Sequence, residues 1–494
     1  MKLKRILCAL LAGLVILPAA SCAASDDDPA VTTAAAADTQ NAEEQDTRDP
    51  NYICELPDDL DFGDAEVNIM YGTSPGQEDE LHSEKLGLGT VSDAVYERNL
   101  AVENQLGVKL EMIEGDNIVS TLQTTVRAGD NSLDIFNMVS FESIPLAISG
   151  HYLDLNRLDY VDTSKYYWVQ DYNDIATFTN ENMQFLATSP AALTMLRLTY
   201  FTIFNGEMMS ERRMSNLYDA VDNGEWTLDL QYSLIADEYV DQDGNGLESD
   251  GDYYGYVTGG FETLDGHLTA SGIRLAIRDE NGEWVFNSEK MEAIADMTEK
   301  VCALNSAPGT FVAPDGIGVY NIIDKFSREE CLMATTMFLA VEKNFAALAD
   351  VPYGIVPMPK LNREQAGYHS FVQDRVSSFG ISAAVGDPTR QDIVGAVMES
   401  MAYHSNEIVR PAYYDTTLSL RFMQDPRSRQ MLDIMFDTLT FDLGYYVGLG
   451  NVREDMRSIL DSSNPAVVSK FKAWEKSAKK TLRKYNESLE KLTQ

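Results

Sequence analysis

The stretch VDQDGNGLESDGDYYGY, Val240–Tyr256, sets oxygen-bearing side chains at alternate positions. Asp241, Asp243 and Asn245 come first, then Gly246, Leu247, Ser249 and Asp252. This is the spacing of a twelve-residue calcium loop of the EF-hand type. Side-chain oxygens at positions one, three and five face one point, and glycine at six permits the sharp turn. The backbone carbonyl at seven is a ligand, and an acid closes the loop at twelve. The residues predict Ca²⁺ held by Asp241, Asp243, Asn245, the Leu247 carbonyl, Ser249 and Asp252, with Asp252 shorter than the usual glutamate and so weaker in its grip. The competing reading is a solvated acidic turn. The order of residue types, beyond their charge, favours the metal.

The rest of the chain offers little catalytic spacing. No HExxH and no P-loop occurs, and His82, His151, His267, His369 and His404 are scattered without ligand spacing. Acids number 78 against 38 bases, for a net charge of −40. Such a surface argues against nucleic acid and against anionic lipid headgroups. The acids guarantee pairs that could serve a glycoside hydrolase, yet no distinctive acidic motif sits at strand ends. There is no CxxC, so neither a zinc site nor a redox pair is indicated. Cys54, Cys302 and Cys331 read by default as buried free thiols, with a Cys302–Cys331 pair the open alternative.

The elements around these residues begin with MKLKRILCALLAGLVILPAASC. Lys2, Lys4 and Arg5 precede an apolar run from Ile6 to Pro18 that is short for a membrane span. Ala19, Ala20 and Ser21 then lead to Cys22, which resembles the acylated cysteine of a bacterial lipoprotein signal; an ordinary secretory signal is the alternative. Residues 22–58 are acidic and poor in large apolar side chains, as a disordered tether would be. The 44% hydrophobic content supports a folded body, and its length exceeds one ordinary core.

That body opens with AEVNIMYG as a strand, a helix from Ser92 as N-cap to a stop at Gly107, then VKLEMIEG as a strand. NIVSTLQTTVRAGD reads as a helix ending at Gly129, and LDIFNMVS as a third strand. The order βαβαβ predicts a parallel sheet covered by helices, with ligand beyond the carboxyl ends of its strands. RDENGEWVF reads as a hairpin around Asn281–Gly282. In the last segment, Phe471, Trp474, Ala478, Leu482, Tyr485 and Leu489 form a stripe that packs on the body.

An ordered set of segments is similar to the extracellular solute-binding proteins of bacterial ABC importers, family one, mostly sugar-type. VYERNLAVENQLGV resembles the family's first helix, and VRAGDNSLDIF its turn and third strand. SGHYLDLNRLDYVDTSKYYW, NGEWTLD, YGIVPMPKLNREQAGYHSFV and RPAYYDTTLSLRFMQDPRSRQMLDIM follow in the family's order. In YFTIFNGEMM, Gly206 departs from the family's lysine. The resemblance covers most of the body and includes a branch with a calcium-type loop at this point.

The resemblance implies an α/β, two-lobed, type II periplasmic-binding-protein-like fold. Lobe one would hold residues 59–190 and 376–412, and lobe two residues 191–375 and 413–494. Crossings are expected near Ala187–Thr199, Val372–Ile381 and Arg410–Tyr414. The implied function is capture of a carbohydrate between the lobes by a monomer on the outer face of the cytoplasmic membrane, and delivery to the importer's permease. The expected ligand contacts are Tyr71, Phe141, Tyr167, Trp168, Tyr200, Phe261, Glu262, Phe338, Tyr413 and Tyr414. Asp374 and Arg375 are further candidates, as hydroxyl binders near a hinge or equally as an inter-lobe or surface pair. An acidic ligand requires a local basic patch, for which Arg197, Arg274 and Arg375 are the candidates. A hydrolase, a protein-binding scaffold and a receptor for peptides or other solutes stay open as alternatives.

Overall fold

The computed structural model describes residues 56–178, 183–314, 319–414, 426–461 and 465–492, all within one compact unit, with the side chains of 260–264, 319–321 and 460–461 left out. The signal, Cys22, Cys54 and nearly all of the tether lie outside the described residues. The tether's expected end at 58 is too late, because Leu56 is already buried in the core.

Twelve strands matter for the site. They are β1 (Ala65–Tyr71), β2 (Val108–Glu114), β3 (Ile135–Val139), β4 (Tyr200–Asn205), β5 (Tyr239–Val240), β6 (Tyr253–Gly259), β7 (Ala276–Arg278), β8 (Trp284–Phe286), β9 (Thr310–Ala313), β10 (Cys331–Met337), β11 (Tyr353–Pro357) and β12 (Ser377–Ile381). One sheet has the order β12-β3-β1-β2, parallel except for β12. The second has the order β9-β6-β10-β4-β11, with β5 paired to β6. In it β9, β6 and β10 are parallel, while β4 runs against both β10 and β11.

The first sheet shows why βαβαβ was readable. The helices Thr90–Leu106 and Ile118–Ala128 each end at a glycine in the left-handed region, Gly107 at φ 60° and Gly129 at φ 63°, where a side chain would be strained. Ser92 is not the N-cap: the helix starts at Thr90, after Gly89, and Asp93 accepts the amide protons of Gly87 and Leu88. Alternation divides the sheet's two faces. Val67, Ile69, Ile135 and Phe379 belong to one apolar core, backed by the helix Pro388–His404. Met70, Phe136 and Met138 belong to another, which continues into Phe201, Ile203, Tyr256 and Met333 of the second sheet.

Two crossing segments run antiparallel at the junction, bridged at Ala187–Phe379 and Thr199–Val372. A π-helical turn, Ser405–Val409, precedes Arg410 on the third. The β7–β8 hairpin pairs Arg278 with Trp284, as its Asn-Gly turn predicts. The terminal helix Phe471–Leu489 buries Trp474, Ala478, Leu482 and Leu489. Cys302 and Cys331 are buried free thiols. Among the described residues no helix is long and apolar enough to cross a membrane.

Candidate functional site

β3 runs directly into the helix Ser140–Ile148, and β6 into the helix Gly260–Ala270. The crossing segment ahead of β12 lies against the first of these helix starts. Ser140 donates its amide to the Val376 carbonyl at 2.9 Å, and Phe141 donates its amide to the Asp374 carbonyl at 3.1 Å. The Asp374 carboxylate accepts Arg453 Nη1 at 2.7 Å, which joins this segment to the helix Val452–Asp461. The Phe141 ring is 37% exposed. Arg375 is exposed beside it, and Glu142 is half-buried, its carboxyl raised by burial against the opposing pull of Arg375.

On the second helix, Asp265 is buried. Its Oδ2 accepts Arg457 Nη2 and, at 3.2 Å, the Tyr445 hydroxyl, while Oδ1 has no partner. Burial raises this carboxyl to about 7, against the lowering effect of Arg457. Arg453 lies over the Tyr445 ring at 5.3 Å, and Tyr445 packs edge-on against Phe371 at 5.2 Å. The junction therefore gathers an exposed aromatic face, an exposed guanidinium, a half-buried carboxyl and a buried Asp–Tyr pair held by the half-buried Arg457. Such groups bind hydroxyls and small polar solutes.

The expected contacts divide sharply. Tyr71 is half-buried at the end of β1, its hydroxyl raised by burial and then by the Glu114 charge. With Phe141, it lies at a strand end as the topology requires. The main chain of Phe261 and Glu262 lies in the helix after β6, and their side chains fall outside the described set. Tyr414 is partly exposed, bonds Asp433 and lines a separate groove of about 580 Å³ with Arg410 and Arg429.

The remaining five are interior. Tyr200 packs on Phe371 at 5.3 Å, and Phe338 stacks on Phe201 at 4.4 Å. Tyr413 is fully buried and donates to Glu342 at 3.3 Å. Tyr167 and Trp168 are 3% exposed at the edge of a groove of about 500 Å³, and both donate to the buried Glu399. Their polar tips are satisfied inside the protein. Core packing uses tyrosine and tryptophan wherever the tip finds an acceptor.

Glu142, Asp265, Arg453, Arg457 and Tyr445 were not expected. Only the last left a signal, a tyrosine pair set among glycines in GYYVG. The pentapeptide GTSPG, 72–76, has hydrolase-like Gly-x-Ser-x-Gly spacing. It leaves β1 into a segment that reaches Thr90 before the next helix, whereas the nucleophile turn needs strand, turn and helix in immediate succession.

The acidic loop closes the β5–β6 hairpin instead of joining two helices. Carboxylate oxygens of Asp241, Asp243 and Asp252 lie within 4.8 Å of one another. Asp241 also caps the turn through the Gly244 and Gly246 amides, and Asp252 accepts from Gln242 and Ser249. Asp252 is held below the ordinary carboxylate value by these backbone amides, against a desolvation effect that raises it. The hard-oxygen donor set fits a calcium ion. Three carboxylates this close repel one another, and a divalent cation would relieve that repulsion.

No protein-family model and no curated protein matches this sequence. Solved structures do match its fold. The maltose/maltodextrin-binding domain of Bdellovibrio bacteriovorus, bound to maltotriose, has TM-score 0.52 and 13% identity over 85% of this chain and 100% of its own. The fold is that of the two-lobed solute-binding proteins. The galacto-N-biose/lacto-N-biose I-binding protein of the Bifidobacterium longum ABC transporter, in complex with lacto-N-biose, gives 0.55 and 10% over 86% of this chain and 98% of its own. Apo RafE of Streptococcus pneumoniae gives 0.53 and 14% over 86% and 98%. Nearly the full length of each solute-binding structure is thus covered, so this chain holds both lobes of the fold.

Proposed function

We propose that this protein captures an extracellular carbohydrate at the lobe junction and delivers it to the permease of an ABC importer. The observation that carries the reading is a two-lobed fold with polar and aromatic groups where its two sheets and crossing segments meet. Two of the matched structures hold maltotriose and lacto-N-biose, which supports a saccharide ligand. No bond is broken in this reading. Contacts to both lobes favour one lobe arrangement, and that arrangement is what the permease recognises.

The ligand-binding set is centred on Tyr71, Phe141, Glu142 and Arg375, with Phe261 and Glu262 adjoining. Cys22 carries the lipid that holds the protein at the outer face of the membrane. Ca²⁺ on Asp241, Asp243 and Asp252, with Asn245, Ser249 and the Leu247 carbonyl completing the set, staples the β5–β6 loop. The ion offsets the ordering entropy of an acidic segment and takes no part in ligand chemistry.

The test is a melting-temperature panel of neutral and acidic oligosaccharides on the mature protein, with product analysis by chromatography. A saturable rise with one glycan class and no cleavage is expected. Cleavage of the glycan, or no rise with any saccharide, overturns the reading.

A further inference from the structure

The arginines around the junction differ in what they already hold. Arg197 is buried and spent: it grips both Glu342 oxygens at 3.1 and 3.2 Å and donates to the Gly76 and Glu78 carbonyls. Arg274 is paired with Asp171. Arg453 holds Asp374 and Glu454, and Arg457 holds Asp265. Arg375 alone of this group is exposed and makes no hydrogen bond or ion pair among the described residues. The Glu142 carboxylate lies close enough to feel its charge but does not hydrogen-bond it, so the donors of the guanidinium stay open to a ligand.

Its backbone is nonetheless fixed. Asp374, one residue earlier, is tied through its carbonyl to Phe141 and through its side chain to Arg453, and Val376, one residue later, accepts from Ser140. A guanidinium presents a planar fork that matches a carboxylate in bidentate geometry. Beside it stand the exposed Phe141 ring, suited to the C–H face of a pyranose, and Glu142, an acceptor for hydroxyls.

We infer that the ligand carries a carboxylate: a saccharide containing uronic acid, whose acid group pairs with Arg375 and whose ring rests on Phe141. This inference rests on the sugar-receptor reading and names its substrate class. The net charge of −40 opposes any anion at long range, so selection for an acidic sugar needs a cation at the contact point whose donors are not already bonded to a carboxylate. Arg375 is that cation.

The test is calorimetric titration of the mature protein with trigalacturonate and with neutral maltotriose at fixed ionic strength. The variants are Arg375→Gln and, for the same change in net charge far from the junction, Lys472→Gln on the exposed face of the terminal helix. Trigalacturonate is expected to bind wild type, with a loss of roughly 10- to 100-fold in Arg375→Gln and none in Lys472→Gln. An unchanged melting temperature of the unliganded variants checks that folding is intact. Tight binding of maltotriose with no dependence on Arg375 overturns the acidic-sugar inference and leaves the sugar receptor standing. Equal losses in both variants also overturn it, because they report general charge. Failure of every glycan in the wider panel removes the receptor reading and this inference with it.

Discussion

Glu399 provides a test of which aromatic residues are structural. It lies on the helix Pro388–His404, 3% exposed, and accepts the Tyr167 hydroxyl, Trp168 Nε1 at 3.1 Å and the Asp162 amide at 3.1 Å. Burial raises its carboxyl from 4.5 to about 7, with the three hydrogen bonds opposing the rise. Between these values the folded chain binds the proton that the unfolded chain has released. The stabilisation is present in full below the unfolded value and is lost as pH climbs through about 7, an amount on the order of 3 kcal/mol.

Glu399→Gln removes that titration while keeping the network. The amide oxygen can accept from Trp168 and Asp162, and the amide nitrogen can donate to the Tyr167 oxygen. Relative to wild type, the variant should match it near about pH 4.5 and exceed it by about 3 kcal/mol above about pH 8. Urea midpoints across this range measure the difference. Other buried acids raised by desolvation, Glu80 to about 8 and Asp442 to about 6, contribute to both proteins alike and cancel. Saccharide affinity should not move in Glu399→Gln or in Tyr167→Phe. Parallel pH profiles would refute the buried-carboxyl argument, and loss of ligand binding in Tyr167→Phe would return that ring to the ligand site.

Removal of calcium should lower the melting temperature by roughly 2–5 °C and leave saccharide affinity unchanged. An Asp241→Ala/Asp243→Ala variant should no longer respond to a chelator; a wild-type protein equally indifferent to the chelator would leave the loop an acidic turn. Trp474→Ala should cost about 3–5 kcal/mol, because the indole is 1% exposed and its Nε1 bonds Asp455 at 2.7 Å. A denaturant midpoint within about 0.5 kcal/mol of wild type would show that the terminal helix does not contribute to the core.

The parts of this molecule that were legible are those whose determinants are close in sequence. The acidic loop carries its candidate oxygen donors within twelve residues, and the structure gathers the carboxylates of Asp241, Asp243 and Asp252. The opening βαβαβ was readable because glycines at 107 and 129 terminate helices locally and the strand lengths match. The ligand contacts fared differently. Tyr71 and Phe141 are partly exposed where their strands end, as a strand's end predicts. Tyr200 is not, since β4 is flanked on both sides by β10 and β11 and all six of its residues are buried.

Aromatic type alone does not separate a ring that meets a sugar from one that meets another ring. What separates them is the fate of the polar tip, and that fate is decided at long range: the Tyr167 hydroxyl is satisfied by a carboxylate 232 residues away. The same reasoning governs the arginines. Arg197 and Arg274 are neutralised by acids 145 and 103 residues away, so a sequence can nominate three cations for one junction without revealing which is left over. Charge available for binding is a remainder, fixed only after every internal pairing has been made. Arg127, Arg213, Arg410 and Arg429 also lack an ion pair among the described residues, so what makes Arg375 an indication of the ligand's chemistry is its place: exposed at the junction, on a backbone tied to Phe141, with Glu142 beside it.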